Sequence, residues 1–200
     1  MKVIKKSIVI LLIVLVGLRL YLFYVDRSNE KAREEAEQIF QSMILNTERV
    51  NLNAQNITSI TEGNETLPKT DPSIIGKIEI DKLDLSYVIL NGAKKEQLDI
   101  SVGKVTGPEV HEQGNLVLAG HNMRDGSLFG KLKQLDLNDT FRVIDSKGIS
   151  KEYIIYEIDI VKDTDLSPLK QDISTTPVST LITCTDDGKL RVIYYAKQIG

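Results

Sequence analysis

The stretch Thr180–Lys197, TLITCTDDGKLRVIYYAK, consists of two β-branched and aromatic runs separated by turn residues. Asp187-Gly188 between such runs is a strong hairpin signal, because two-residue turns that follow strand twist need residues tolerant of positive φ. With those two residues at the centre of the turn, Asp186 faces Lys189, Thr185 faces Leu190, and Cys184 falls opposite Arg191. Directly opposed residues share a face with Cβ atoms about 4.5–5.5 Å apart, so this register predicts a guanidinium beside a thiol. A three-residue turn with a bulge would instead make the pair diagonal. Cys184 is the only cysteine in 200 residues.

Outward from the hairpin, the chain from residue 73 onward keeps the same texture. Short β-like runs (IIGKIEIDKL, LSYVIL, NLVLAGH, TFRVID, KEYIIYEIDIV, STLITCT, LRVIYYAKQI) are punctuated by glycines, and only KKEQL and SLFGKLKQL suggest helical turns. Closely spaced strands with little helix predict an all-β barrel or sandwich over residues 73–200, a normal size for one domain.

The N-terminal part is different. Lys2, Lys5 and Lys6 precede the apolar run Ile8–Leu18, then Arg19, then Leu20–Val25. Bridged across Arg19, the run is long enough to cross a bilayer as a helix, with the arginine able to snorkel toward the interface. No small-residue cleavage pattern follows, so residues 1–25 read as an uncleaved signal anchor. Arg27, Lys31 and Arg33 roughly balance the leading lysines, so the positive-inside count alone does not orient the span. Residues 26–72 read as a membrane-proximal amphipathic helix, with a stripe of Ala36, Ile39, Phe40 and Met43, followed from Asn46 by a polar linker ending in LPKTDP. The net charge of −3 lacks the basic excess that phosphate backbones require, which argues against nucleic acid as a partner. A single cysteine outside the cytoplasm is no disulfide staple and is a candidate reactive thiol.

A thiol that attacks a carbonyl needs a group to protonate the departing amine, and histidine is the usual supplier. The chain offers two. His111 sits in GPEVHEQGN, which reads as a solvated loop. His121 ends the apolar strand NLVLAGH, where the sheet would hold it in place, and is the stronger candidate. A cation beside Cys184 favours the attacking thiolate, and its donors suit an oxyanion.

Three pieces together, TLITC (Thr180–Cys184), Arg191 in LRVIYYA and the upstream LAGHN (Leu118–Asn122), resemble the sortases, membrane-anchored transpeptidases of Gram-positive bacteria. The resemblance extends over roughly Ile74–Lys197. The segment SVGKVTGPEVHEQGNLVLAGHN is similar to the approach to the sortase histidine, with Lys104 where several members carry a further histidine. The resemblance implies a compact eight-stranded β-barrel, preceded by the transmembrane helix and carried on the outer side of a single-pass membrane anchor. It implies that Cys184 attacks the Thr carbonyl of a Leu-Pro-x-Thr-Gly-like or Asn-Pro-x-Thr-Asn-like sorting signal, forming a thioester. His121 would protonate the leaving amine, Arg191 would position substrate and stabilise the oxyanion, and Thr183 would assist in substrate binding. The acceptor would be a cell-wall precursor amine or a pilin lysine, and the donors surface proteins bearing the signal. No metal or organic cofactor is implied, although some members bind calcium, and the acidic loop near Glu112 is where such an ion would sit. GHNMRDGSLFGKL resembles class B members, whereas the short interval from His121 to Cys184 resembles class A or D.

Two other enzyme classes fit less well. Papain-like and other cell-wall cysteine peptidases place the cysteine before the histidine and a helix behind the thiol. Peptidoglycan cross-linking enzymes carry His and Gly immediately before their cysteine, where this chain has Ile182 and Thr183. A non-catalytic anchored adhesin would need none of Cys184, His121 or Arg191.

Overall fold

The computed structural model describes residues 2–56, 74–171 and 176–199. Helix α1 (Lys2–Asn56) is followed by eight strands: β1 (Ile74–Ile80), β2 (Leu85–Leu90), β3 (Val102–Thr106), β4 (Asn115–Ala119), β5 (Thr140–Asp145), β6 (Ser150–Lys162), β7 (Val178–Cys184) and β8 (Leu190–Ile199). A one-turn helix, α2 (Lys95–Leu98), lies between β2 and β3. The strands close into a barrel in the order β1-β2-β3-β4-β7-β8-β6-β5, so every strand edge is paired. The β2–β3 and β4–β7 pairs are parallel and the other six antiparallel.

Alternation along the strands fills the interior with Ile78, Ile80, Leu116, Leu118, Val143, Leu181, Tyr194 and Ala196, all nearly or fully excluded from solvent. The expected β-runs all become strands. β3 is the strand that local pattern does not announce. It is short and carries Gly103, where a Cβ would stand 2.3 Å from the Gly92 carbonyl oxygen, so close backbone approach forces glycine at the cost of a β-forming side chain.

Two ends of the barrel are distinct. Near one end lie the C-termini of β4 and β7 and the N-termini of β3 and β8, as the Gly103–Ala119, Ala119–Ile182 and Cys184–Arg191 pairings require. The other end is closed by the β5–β6 turn, where Ile144 pairs with Ser150.

Helix α1 is continuous through the apolar segment, whose side chains are exposed and whose most apolar window has a mean hydropathy of 2.7. It is long and apolar enough to cross a bilayer. It also runs on past Asn46 to Asn56, beyond the point where composition turns polar; the rest of the expected linker lies outside the described residues. Its stripe of Ala36 and Phe40, with Ile39 and Met43, packs on Ile74, Val88 and Leu90. Burying Phe40 alone contributes about 2–3 kcal/mol before ordering costs. The buried Lys77 ammonium on β1 is paired with Glu37 of the helix at 2.7 Å and with Glu79 at 3.6 Å. Arg33 Nε donates to the Ile100 carbonyl at 2.9 Å, and its guanidinium lies 5.5 Å from the Tyr87 ring centroid.

Candidate active site

Strands β4, β7 and β8 are neighbours, and the register of each pair decides which residues meet at the open end. β7 and β8 set Cys184 against Arg191. β4 and β7 set Ala119 against Ile182, and the next rung is the Gly120 N–H donating to the Ile182 carbonyl at 3.2 Å. One residue beyond His121, Asn122 Nδ2 donates to the Cys184 carbonyl at 2.8 Å. His121 is therefore bracketed by two bonds from β4 and its extension, to the residues two before and at the cysteine. Because Leu118, Leu181 and Tyr194 point into the core, alternation turns Ala119, Ile182, Cys184 and Arg191 to the outer face.

That outer face is covered in part by the segment after β6. Asn115 Nδ2 donates to the carbonyls of Pro168 and Lys170, each at 3.0 Å, and Thr180 Oγ1 donates to Asn115 Oδ1 at 2.7 Å. Beneath the cover Val117 and Thr180 are fully buried. Farther along, Ala119, Ile182 and Cys184 regain solvent exposure, so the thiol sits where the covered face opens. Beside it is a cavity of about 200 Å³, lined among others by Asn122, Phe129, Lys133, Thr183 and Cys184.

The hairpin that sets the Cys184–Arg191 register is not the two-residue turn that Asp187-Gly188 suggests. Asp187 does not have positive φ; only Gly188 does, at +74°. The Gly188 N–H closes on the Thr185 carbonyl at 2.8 Å, and the Thr185 N–H bonds the Leu190 carbonyl at 3.0 Å, giving a four-residue loop. Asp187 selects this turn: its Oδ1 accepts from Thr185 Oγ1 at 2.6 Å and from the Lys189 N–H at 3.1 Å. The four-residue loop leaves Cys184 opposite Arg191, because it opens the 186–189 pair without inserting a residue.

Arg191 Nη1 donates to the carbonyls of Gly188 and Leu190, at 3.3 and 3.1 Å, bracing the hairpin on which it stands. His121 Nε2 lies 3.4 Å from Asp99 Oδ1, just beyond α2, and the same carboxylate is also bonded by Lys95. Thr183 is buried, and its hydroxyl donates to the Gly120 carbonyl at 2.9 Å. It ties β7 to the residue before His121, and a buried bond of this kind is worth about 1 kcal/mol net. Asp186 accepts from Asn122 Nδ2 at 3.1 Å and pairs with Lys133 at 2.9 Å. Lys133 first, and then Asn122, hold its carboxyl below the usual value, so this link persists until acid protonates it.

His111 lies in an exposed loop, but its ring is half-buried and held. Its Nε2 lies 2.9 Å from the Ile149 carbonyl oxygen, its Nδ1 3.4 Å from the Tyr153 hydroxyl, and its ring stacks on Tyr153. Ile149 belongs to the β5–β6 turn, so His111 sits at the end of the barrel opposite Cys184. Burial pushes the Tyr153 hydroxyl up to about 12, which leaves a neutral phenol against the imidazole. Among the described residues no group of three or more His, Cys, Asp or Glu side chains is placed to hold a metal ion, and Glu109 in the acidic loop is paired with Lys104 at 3.0 Å.

Asp99, Asn122 and Lys133 are the neighbours that sequence reasoning does not find. Asn122 had the signal of adjacency to His121; Asp99 and Lys133 reach the site only through the fold.

The sortase domain model matches residues 78–199 of this chain. Sortase A of Listeria monocytogenes serovar 1/2a is 28% identical over 129 residues, covering 64% of this chain but only 56% of the Listeria protein. Sortase A of Bacillus anthracis is 28% identical over 188 residues, covering 89% of this chain and 86% of that protein. Among solved structures, the Clostridium perfringens sortase D5 transpeptidase superposes with a TM-score of 0.60 at 23% identity, covering 82% of this chain and 99% of that one. Listeria monocytogenes sortase A gives 0.59, also at 23% identity, covering 64% and 88%. At that identity the structures speak for the barrel, whereas the domain match extends over more than half of the sequence: the chain belongs to the sortase family.

Proposed function

We propose that this protein is a membrane-anchored cysteine transpeptidase working through Cys184, His121 and Arg191, with its barrel outside the cytoplasm. The observation that carries the reading is that the partly exposed Cys184 pairs with Arg191 across β7 and β8, while His121 lies between two bonds that join the end of β4 to Ile182 and Cys184. Cys184 Sγ attacks the Thr carbonyl carbon of a Leu-Pro-x-Thr-Gly-like or Asn-Pro-x-Thr-Asn-like signal. The C–S bond forms, and the tetrahedral intermediate collapses with loss of the C–N bond. His121 gives its proton to the departing amine. An incoming amine, from a cell-wall precursor or a pilin lysine, then attacks the thioester, loses a proton to His121 and expels the thiolate. Water in place of the amine gives hydrolysis. None of these steps calls for a metal or an organic cofactor.

The test is a peptide panel spanning both motifs, incubated with the full chain in detergent in the presence of diglycine and followed by mass spectrometry. A diglycine-ligated product and a thioester adduct on Cys184 are expected. Absence of both with every motif, together with a thiol that reacts with a methanethiosulfonate no faster than in the unfolded chain, would identify a passive anchored β-domain instead.

Two substitutions probe the partners. Arg191→Lys is expected to lower kcat/KM by about 10- to 100-fold, because one ammonium cannot both brace the Gly188 and Leu190 carbonyls and donate to an oxyanion as a planar fork does. Full activity in Arg191→Ala would remove Arg191 from the mechanism. Asp99→Asn is expected to reduce kcat by about tenfold or more with little change in KM, since the carboxylate faces His121 Nε2 and orients the ring. An equal rise in KM would show that Asp99 shapes the binding surface instead.

A further inference from the structure

The path of α1 across the barrel fixes which end of the domain looks at the membrane. Arg33 bonds Ile100, two residues before β3 begins, and covers Tyr87. The start of β3 lies at the catalytic end, since Gly103 pairs with Ala119, two residues before His121. The charge of Arg33 also reaches Asp125 in the loop that follows His121. One turn on, Glu37 meets Lys77, and Phe40 then packs on Ile74 and Leu90. Finally, a Cβ added to Gly148, in the β5–β6 turn of the opposite end, would stand 3.3 Å from Ile44 Cδ1. The helix therefore descends from the catalytic end at residue 33 to the far end at residue 44, and its apolar segment lies on the catalytic side.

We infer that the end of the barrel carrying Cys184 is turned toward the lipid headgroups, held there by α1 as a docked post of fixed length. This rests on α1 being the membrane anchor, and it holds whichever side of the membrane the barrel occupies. Tyr21, Phe23 and Tyr24 mark the polar boundary of the span in the manner of interfacial aromatics. From Val25 to Arg33 the helix rises about 12 Å, so the catalytic mouth stands within roughly that distance of the hydrocarbon edge. From Arg33 to Ile44 it rises about 16 Å more, which sets how much farther away the β5–β6 turn lies. Docking by an apolar stripe, a pair between the buried Lys77 and Glu37, and the Arg33 bond fastens the post at three levels, so the barrel cannot swing freely on its anchor.

The test uses the full chain in lipid nanodiscs with Cys184→Ala, so that a single introduced cysteine carries a donor fluorophore, and with acceptor-labelled headgroups in the bilayer. Arg124→Cys reports the catalytic end and Lys147→Cys the β5–β6 turn; both native side chains are exposed. Energy transfer is expected to be clearly stronger from position 124, corresponding to a separation shorter by about 16 Å. A seven-residue helical insertion after Arg27 should move both labels outward by about 10 Å while keeping their order. Equal transfer from the two positions, or stronger transfer from 147, overturns the inference; so does transfer from neither, which also removes the anchor. Peptide ligation by the unsubstituted chain is scored separately. An inactive protein with the expected transfer order loses the proposed activity but keeps this orientation, and an active one with the order reversed does the opposite.

Discussion

Cys184→Ala is expected to eliminate thioester formation, hydrolysis and ligation together, a loss of at least about 10³-fold, while the melting temperature stays close to that of the unsubstituted protein. The two halves of this expectation have different origins. The activity half follows from the proposed nucleophile: no other cysteine exists in the chain to replace the sulfur, and without a C–S bond neither proposed half-reaction begins. The stability half follows from how the residue is held. Its backbone is fixed by pairing with Arg191 and by the Asn122 side chain on its carbonyl, and alanine keeps both. The side chain is only partly buried, so its removal opens no closed cavity in the core. Ligation and denaturation measured on the same preparation check both halves. Residual ligation above about one-thousandth of the parent rate would mean that another group attacks the carbonyl. A large fall in melting temperature with activity lost would leave the nucleophile unassigned, and Cys184→Ser, nearly isosteric, then decides the matter by retaining the fold without the sulfur.

The hairpin shows how much of this site is legible in the sequence and where legibility stops. Cys184 faces Arg191 as the count of residues between the two β-runs predicts, because loop length constrains register more tightly than turn type does. The turn itself differs, since Asp187 spends its carboxylate on Thr185 and Lys189 rather than taking the left-handed conformation of a two-residue turn. The stripe on α1 is visible as amphipathic spacing, but nothing local says that Phe40 packs on Ile74 and Leu90 of the same chain rather than lying on a membrane. β3 is hidden by the glycine its tight packing against Gly92 demands. His111 reads as loop because its neighbours are polar, yet a contact with Tyr153 far along the chain holds it. Thr183 is adjacent to Cys184 in sequence and suggests a substrate contact; the fold adds a bond from its hydroxyl to the Gly120 carbonyl while leaving it on the wall of the cavity beside Cys184. Asp99 is the clearest case of tertiary information, since it meets His121 only after the α2 turn is laid beside the end of β4.

His121→Ala is expected to lower kcat/KM for an amide substrate by about 10²–10⁴-fold, the range that removal of a positioned proton donor usually costs. The nucleophile survives in this variant, so the defect should lie in expelling the amine rather than in forming the first bond. An amine is a poor leaving group until protonated, whereas the alcohol of the corresponding ester departs more readily without help. The variant should therefore recover much of its acylation rate on a depsipeptide in which the scissile amide is replaced by an ester, while the parent enzyme gains far less from the same exchange. A subsequent deficit in aminolysis should remain, because the incoming amine must still give up a proton and the base that accepts it is gone. His111→Ala supplies the contrast: tied to Ile149 and Tyr153 at the opposite end of the barrel, it should leave the amide-to-ester ratio unchanged even if it costs stability. An equal deficit on amide and ester would show that His121 shapes the site without transferring the proton.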